Sequence, residues 1–261
     1  AMIVTGTYLV IENQTYTSVA TADSHKKDTE DSNQYIAFSD GVIRYSRDGV
    51  VFLNKRNKEK WIQPCQIQNP IVDVNEDVFA IADVGGNTIM IFQKSGLKGE
   101  IETTLPIEKI SVSNQGIVSA ILKNESTPQI ISYDAVGNIL VEHQVNLNST
   151  GYPISLDMSA DGENLMVSYL STKNGTLKSM VAFYNFGKEG QEKTDNLIYT
   201  EDFDQTVVPD VFYMDASTSV AVGDKSFVIY EGTKSVKKKT EVKLNQEIRS
   251  EFHSERYIGF I

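Results

Sequence analysis

The sequence predicts an all-β fold, a β-propeller of four-stranded blades, and three observations support this prediction. Short runs rich in Val, Ile, Tyr, Phe and Thr follow one another without helical periodicity, and Gly, Asn, Asp and Ser separate them. Groups of four such runs recur at the period of about 40 to 50 residues that is typical of propeller blades. Most of the prolines occupy one position in the repeated unit.

The repeat is clearest in the third run of each unit. Stacking these runs places one large apolar or aromatic residue of each in a single column, at Leu53, Phe92, Tyr133, Tyr184 and Tyr230. Successive members of this column are 39, 41, 51 and 46 residues apart. The column predicts five blades, at 34–67, 70–105, 108–147, 153–202 and 209–245, and a sixth that begins at 248 and stops at Ile261.

Proline and turn residues support this phase. Pro70, Pro106, Pro153 and Pro209 lie at or just before the first run of a unit, where a missing amide hydrogen does not interrupt a central strand. In the segment "ISLDMSADGENLMVSYLS", residues 154–171, a Ser-Ala-Asp-Gly turn joins two apolar runs. We therefore predict that this segment forms the first two strands of the fourth blade.

The two ends of the chain leave alternatives open. With five complete blades and a partial sixth, we expect six or seven blades in the intact protein. Either the natural chain continues beyond Ile261, or residues 7–12 and 15–21 supply the missing strands of the sixth blade. We assign residues 34–261 to the propeller and residues 1–33 to an N-terminal strand or juxtamembrane segment. The apolar run near the N-terminus ends at Glu12, short of the roughly 20 residues that span a bilayer, so it is either an edge strand or part of a membrane helix.

Charge and cysteine content limit the classes of partner. The formal net charge is -11, which opposes binding to nucleic acid and to anionic membranes through the body of the protein. Cys65 is the single cysteine, so no internal disulfide can form. This composition fits both a cytoplasmic protein and an exported protein of a Gram-positive bacterium.

Several segments resemble an uncharacterised family, a domain of unknown function found in extracytoplasmic propeller proteins of Gram-positive bacteria. They are "YIAFSDGVIRYSRDGVVFLN", "NPIVDVNEDVFAIADVGGNTIMIF", "GYPISLDMSADGENLMVSYLS", "KSMVAFYNFG" and "SERYIGFI". The resemblance implies a membrane anchor, namely one helix before the propeller that is absent from this chain, and an extracellular location. That family is broadly similar to WD40-like and YVTN-like propellers. The chain has one tryptophan, Trp61, and lacks the Trp-Asp dipeptide that closes WD40 blades.

No motif predicts a catalytic residue, a metal ligand or a cofactor. The histidines His25, His143 and His253 lack chelate spacing, and no G-x-S-x-G, Walker A or Rossmann motif is present. The acids around Asp73 and those from Asp157 to Glu163 lack the spacing of a calcium loop, so we interpret them as parts of ordinary hairpins.

Two predicted loops of the fourth blade are unusually long and form a candidate binding site. Residues 171–179 and 200–209 are predicted to be long loops that emerge on the same face. We expect a charged rim there with one apolar anchor, Phe203. Its charged members are Lys173, Lys178, Glu201, Asp202 and Asp204.

These features predict a non-enzymatic binding or scaffold module outside the cell. Its partner is expected to be a protein, a peptide or a glycan. The alternative is a propeller enzyme, lactonase-like or glycan-lyase-like, that acts at the central channel with carboxylates and histidines.

Overall fold

The computed structural model describes residues 33–261, except residues 125, 126, 174 and 255 and the side chain of Lys173. The predicted strands at 7–12 and 15–21, and the whole segment before residue 33, lie outside the described residues. Residues 33–261 form one compact unit.

That unit contains five four-stranded antiparallel sheets, and in each of them the strands lie in sequence order. The first sheet consists of β1 (Gln34–Phe38), β2 (Gly41–Ser46), β3 (Gly49–Asn54) and β4 (Glu59–Pro64). The second consists of β5 (Pro70–Asn75), β6 (Val78–Asp83), β7 (Thr88–Gln93) and β8 (Gly96–Glu102). The third consists of β9 (Ile107–Val112), β10 (Val118–Leu122), β11 (Gln129–Tyr133) and β12 (Ile139–Gln144).

The fourth sheet is the largest. It consists of β13 (Tyr152–Met158), β14 (Asn164–Lys173), β15 (Thr176–Asn185) and β16 (Leu197–Asp204). A short helix α1 (Lys188–Gln191) and a 3-10 turn (Thr194–Asn196) connect β15 to β16. The fifth sheet consists of β17 (Asp210–Tyr213), β18 (Thr218–Val222), β19 (Ser226–Glu231) and β20 (Lys237–Lys243), and the hairpin of β21 (Glu251–His253) and β22 (Ile258–Phe260) follows it.

The predicted units coincide with the observed sheets. Each of the five predicted blades corresponds to one sheet, and their boundaries agree to within three residues. The segment 154–171 forms the first hairpin of the fourth sheet, as predicted. Pro70 is the first residue of β5, and Pro106 and Pro209 immediately precede β9 and β17.

A β-bulge recurs at the column of aligned residues. In every four-stranded sheet, the pairing of the third with the fourth strand shifts by one residue where the column residue is reached. The residue skipped belongs to the fourth strand each time, at Lys60, Lys98, Leu140, Ile198 and Lys239. A bulge bends a strand and increases its twist. The repeat therefore introduces a similar bend into the fourth strand of every sheet, which we call the outer strand.

The core lies between successive sheets. Apolar clusters join the first sheet to the second, the second to the third, the third to the fourth and the fourth to the fifth. A smaller cluster joins the fifth sheet to the final hairpin. Phe79 and Phe92 are completely buried between the first two sheets, and burial of such a side chain contributes about 1.5–3 kcal/mol.

The two long loops predicted for the fourth blade are mostly strand, so that prediction was wrong. β14 continues to Lys173 and β15 begins at Thr176, so most of the predicted loop over 171–179 is paired strand. β16 continues to Asp204, which leaves only residues 205–209 before β17. These extensions are polar because solvent reaches them, but their backbones pair as elsewhere in the sheet. The polar sequences of these strand extensions therefore resembled those of loops.

Within the described residues, no helix has both the length and the apolar character needed to cross a membrane.

Candidate functional site

A groove of about 500 Å³ lies between the outer strands of the fourth and fifth sheets. β16 forms one wall and β20 the other, and the segments at 205–206 and 224–226 complete it. Four of the six candidate residues line this groove, namely Glu201, Asp202, Phe203 and Asp204. The site predicted on long loops is thus built largely on a strand, which fixes its side chains more firmly than a loop would.

Strand alternation places these four residues on opposite faces of β16. Phe203 packs against the core shared with the fifth sheet, so that face also carries Glu201. The other face carries Asp202 and Asp204, which both pair with Lys178 of the neighbouring strand β15. The predicted rim is therefore divided into two clusters. The side chain of Lys173 lies outside the described residues.

Lys178 is shared by two carboxylates. Its Nζ lies 3.0 Å from Asp202 Oδ2 and 3.6 Å from Asp204 Oδ1. The hydrogen bond with Asp202 raises the pKa of the partly exposed Lys178 ammonium. Because exposed ion pairs are weak, this cluster adds little to stability and remains available to a ligand.

A second lysine, Lys238 of β20, has the same arrangement on the groove side. Its Nζ lies 2.8 Å from Glu201 Oε1 and 2.7 Å from Glu241 Oε2. The hydrogen bond with Glu201 raises the pKa of Lys238, and the hydrogen bond with Lys238 lowers the pKa of Glu241. The Glu201 pair connects the fourth sheet to the fifth across the groove.

Tyr230 lies beneath this second cluster. Its side chain is 0% exposed, and its hydroxyl has no hydrogen-bond partner among the described residues. Burial, followed by the nearby Glu201 carboxylate, raises the pKa of Tyr230. An unpaired buried hydroxyl costs about 1–3 kcal/mol, and this one lies next to Glu201, which lines the groove, although Tyr230 itself does not.

A second cavity, of about 670 Å³, lies among the first strands of several sheets, which we call the inner strands. Its polar lining includes Asp73 of β5, Asp157 of β13, Asp210 of β17 and His253 of β21. The imidazole of His253 stacks on Phe212 with 3.7 Å between ring centroids. The cavity thus brings three carboxyl groups and an imidazole from three different sheets and the final hairpin into one place.

The polar residues of the inner strands connect successive sheets. The amide of Val112 donates to Asp73 Oδ2 at 2.6 Å, and the amide of Met158 donates to Ser111 Oγ at 2.9 Å. The amide of Tyr213 donates to Asp157 Oδ2 at 2.6 Å. Each bond joins an inner strand to the inner strand of the following sheet, so these side chains have a structural role.

Burial of these carboxyl groups perturbs their protonation. Burial, followed by the charge of Asp73, raises the pKa of Asp157 to about 8. Burial also raises the pKa of Asp73 and of Asp210. Burial is the largest single effect on His253 and opposes its charged form, but the hydrogen bond with Glu251 and the charges of nearby carboxylates together outweigh it and raise the pKa of the imidazole.

The sequence did not identify all the residues that define these two places. Tyr230 entered only as a member of the apolar column, and no sequence feature assigned Lys238 to a site. Asp73 and Asp157 were interpreted as parts of ordinary hairpins. A carboxylate within a run that is apolar on both sides of it is the sequence feature that could have identified Asp73 and Asp157.

Across the described residues, no group of three or more His, Cys, Asp or Glu side chains has the arrangement of a metal site.

Solved structures with similar folds are WD40 and related proteins. The WD40 domain of Pan2 from Neurospora crassa matches with a TM-score of 0.56 and 12% identity, over 85% of this chain and 68% of that chain. Hsv2 from Kluyveromyces lactis matches with 0.54 and 10%, over 82% and 74%. Hydrazine synthase from Kuenenia stuttgartiensis matches with 0.58 and 13%, over 90% and 73%. Identities this low establish a shared propeller-like fold and no activity.

Among curated proteins, no sequence matches this chain. The family of unknown function DUF5711 matches residues 12–261. The chain therefore belongs to the family of unknown function DUF5711.

Proposed function

We propose that this protein is a non-enzymatic binding or scaffold module that contacts its partner through the groove between β16 and β20. The observation that carries the proposal is the groove itself, about 500 Å³ in volume and lined by charged side chains on two rigid strands. Concave sites with a few well-positioned polar groups are typical of ligand recognition. The partner is a protein, a peptide or a glycan, and the acidic surface disfavours nucleic acid.

The finer fold and the location belong to the same proposal. The five sheets and the hairpin would be five complete blades and part of a sixth, in a propeller of six or seven blades. The family resemblance supports a location outside the cytoplasm of a Gram-positive bacterium, with an N-terminal membrane helix as anchor. Protease digestion of intact cells tests this location, because an extracytoplasmic domain would be cleaved and a cytoplasmic one protected.

Site-directed photo-crosslinking tests the groove as a contact surface. The full-length protein, with a benzoylphenylalanine in place of Asp204, is irradiated in its own host cells. We expect an adduct of defined mass, which also identifies the partner as protein or glycan. The control has the same amino acid in place of Glu142, an exposed residue of the outer strand β12.

The control decides the result. An adduct at position 204 and none at 142 supports the groove. No adduct at 204, or equal adducts at both positions, contradicts the proposal.

The second candidate is an enzyme acting at the central cavity. It is favoured by the presence of Asp157 and His253 in one cavity of about 670 Å³. A carboxyl group whose pKa is about 8 holds its proton at neutral pH and can act as a general acid. Against this, Asp157 already accepts hydrogen bonds from Tyr213 and Ser111.

A lactone-hydrolysis assay tests this second function. Turnover of a lactone by the wild-type protein, abolished in Asp157→Asn with its fold intact, would support the enzyme. Equal, background rates in both proteins would contradict it. Stoichiometric bound metal in the purified protein would also favour the enzyme.

A further inference from the structure

The outer strand β16 offers a free backbone edge beside the groove. It is the last strand of its sheet and, within the described part of the chain, pairs only with β15. Its pairing is continuous from Tyr199 to Asp204, beyond the bulge. Regular exposed edges of this kind accept an additional strand, a common way for proteins to bind extended peptides.

Both faces of this edge carry excess negative charge. On one face Asp202 and Asp204 share Lys178, and on the other Glu201 and Glu241 share Lys238. Each of these paired groups has two carboxylates for one ammonium group. Lys225 and Lys243 also line the groove, and over its whole lining five carboxylates face three ammonium groups, a formal charge of -2. A cationic group added to either face would reduce that charge.

The buried hydroxyl of Tyr230 provides an independent indication of a ligand. None of the described residues supplies it with a hydrogen-bond partner, and it lies near Glu201 and Glu241, which line the groove. The phenolic oxygen can accept a hydrogen bond from an ammonium or guanidinium group. A cation that neutralises Glu201 would act next to this hydroxyl, and a small rearrangement of the Glu201 side chain would bring the two into contact.

We infer that the partner of this groove is an extended peptide with two consecutive basic residues, which adds as a strand to the free edge of β16. Neighbouring residues of a strand point to opposite faces, so one basic side chain would reach each cluster. The inference rests on the proposed binding function and names the chemistry of the partner.

The edge of β20, on the other wall, is less suited to this partner. It begins with Lys237, Lys238 and Lys239, which would repel a basic strand. Lysines on an outer strand also protect it from pairing with other chains. The charge pattern therefore favours β16 over β20.

Peptide binding tests the inference directly. The probe is a capped eight-residue peptide of alternating threonine and valine with two consecutive arginines at its centre. One control peptide has glutamines in place of the arginines, and another separates the arginines by one residue, so that both face the same side. Fluorescence anisotropy measures the affinity, and amide hydrogen exchange locates the bound strand.

We expect the consecutive-arginine peptide to bind and to protect the amides of residues 199–204. Glu201→Gln and Asp204→Asn should each weaken binding about two- to fivefold, the size of one exposed ion pair. Glu142→Gln, on the outer strand of the third sheet, should leave the affinity unchanged. The separated-arginine peptide should bind less tightly than the consecutive one.

Several results would overturn the inference. These are no binding of the consecutive-arginine peptide at millimolar concentration, equal affinity for the glutamine peptide, or protection of an outer strand other than β16. If these occur while the adduct at position 204 forms in cells, the basic-peptide inference fails and the binding function stands.

Discussion

Asp157 shows how one side chain can hold neighbouring sheets together. Its carboxyl group accepts hydrogen bonds from the Tyr213 amide at 2.6 Å and the Ser111 hydroxyl at 2.8 Å. Three successive inner strands, β9, β13 and β17, meet at this group. A buried carboxylate is costly, and burial together with the charge of Asp73 raises the pKa of Asp157 to about 8.

This shift predicts a pH dependence of stability. An unfolded aspartate has a pKa of about 3.9, so between that value and 8 the folded state binds more protons than the unfolded state. The stabilising contribution of Asp157 is complete below the lower value and is lost as the pH rises to 8. We therefore expect the free energy of unfolding, measured with urea, to fall between pH 5 and pH 8.

The variant Asp157→Asn isolates the effect. Its amide oxygen can still accept from Tyr213, but the side chain cannot ionise, so the decrease in stability with pH should be smaller. The exposed Asp77→Asn is the control and should show the wild-type slope. Identical slopes for wild type and Asp157→Asn would refute the assignment.

Single residues were harder to predict from sequence than strands. Glu201 and Phe203 line the groove, but their separation from Asp202 and Asp204 follows from strand alternation, which is not apparent when the segment is predicted to be a loop. Asp73 and Asp157 were missed because a carboxylate near a turn resembles any other in the sequence. Only contacts between units 39 or more residues apart distinguish them.

At the level of elements, two positions require glycine for different reasons, one for its backbone conformation and the other for close packing between sheets. Gly175, in the β14–β15 turn, has φ +78°, and apart from its chain neighbours no atom lies within 4 Å of the point that a Cβ would occupy. Gly99, in β8, lies so close to the Ala135 carbonyl oxygen of the following sheet that an added Cβ would overlap it. The first requires glycine for its conformation and the second for the approach of two sheets.

Alanine substitutions test this difference. Gly175→Ala should cost about 1 kcal/mol, because only the backbone conformation is strained. Gly99→Ala should cost about 1–3 kcal/mol or more, because the two sheets must move apart. Urea unfolding of both variants measures these costs. A Gly99→Ala protein as stable as the wild type would contradict the close packing.

Strand positions were predictable because local chemistry determines them. β-Branched and aromatic runs, separated by glycine and asparagine, indicated all five sheets to within three residues. The bulge at the column was not predictable, because the skipped residue of the fourth strand is lysine in three sheets but leucine and isoleucine in the other two, so no single residue type marks it. Polar extensions of β14 to β16 were missed since solvated strands lack apolar alternation.

At the level of the whole molecule, the apolar clusters join the sheets in chain order. The cluster between the fifth sheet and the final hairpin has, among the described residues, only three fully enclosed members, Phe212, Val220 and Val222. Phe260 of the hairpin packs on Phe227, with 4.8 Å between ring centroids. This end should therefore open before the interior sheets do.

Phe260→Ala tests that order. The substitution should destabilise the fifth sheet by about 1–3 kcal/mol, because it removes a half-buried aromatic side chain. Native-state hydrogen exchange should show faster exchange in β18 and β19, and unchanged exchange in β6 and β7. Uniformly faster exchange across all five sheets would show that the molecule opens as one unit.

The order of the sheets follows from the sequence repeat, whereas the groove does not. A repeat of 39 to 51 residues predicts successive similar sheets. Which outer strands approach each other, and with which charges, depends on the bulges and on packing between distant segments. For this reason the sequence indicated one wall of the groove, β16, and left the other wall unassigned.

Zero-length carbodiimide cross-linking tests most directly the claim that the fourth and fifth sheets bring their outer strands together to form the groove. The reagent joins a carboxylate to an amine only in direct contact, and Lys238 Nζ lies 2.8 Å from Glu201 Oε1. We predict a Glu201–Lys238 amide in the mass spectrum, absent from Glu201→Gln. Formation of the local Lys238–Glu241 link without any Glu201–Lys238 link would contradict the account.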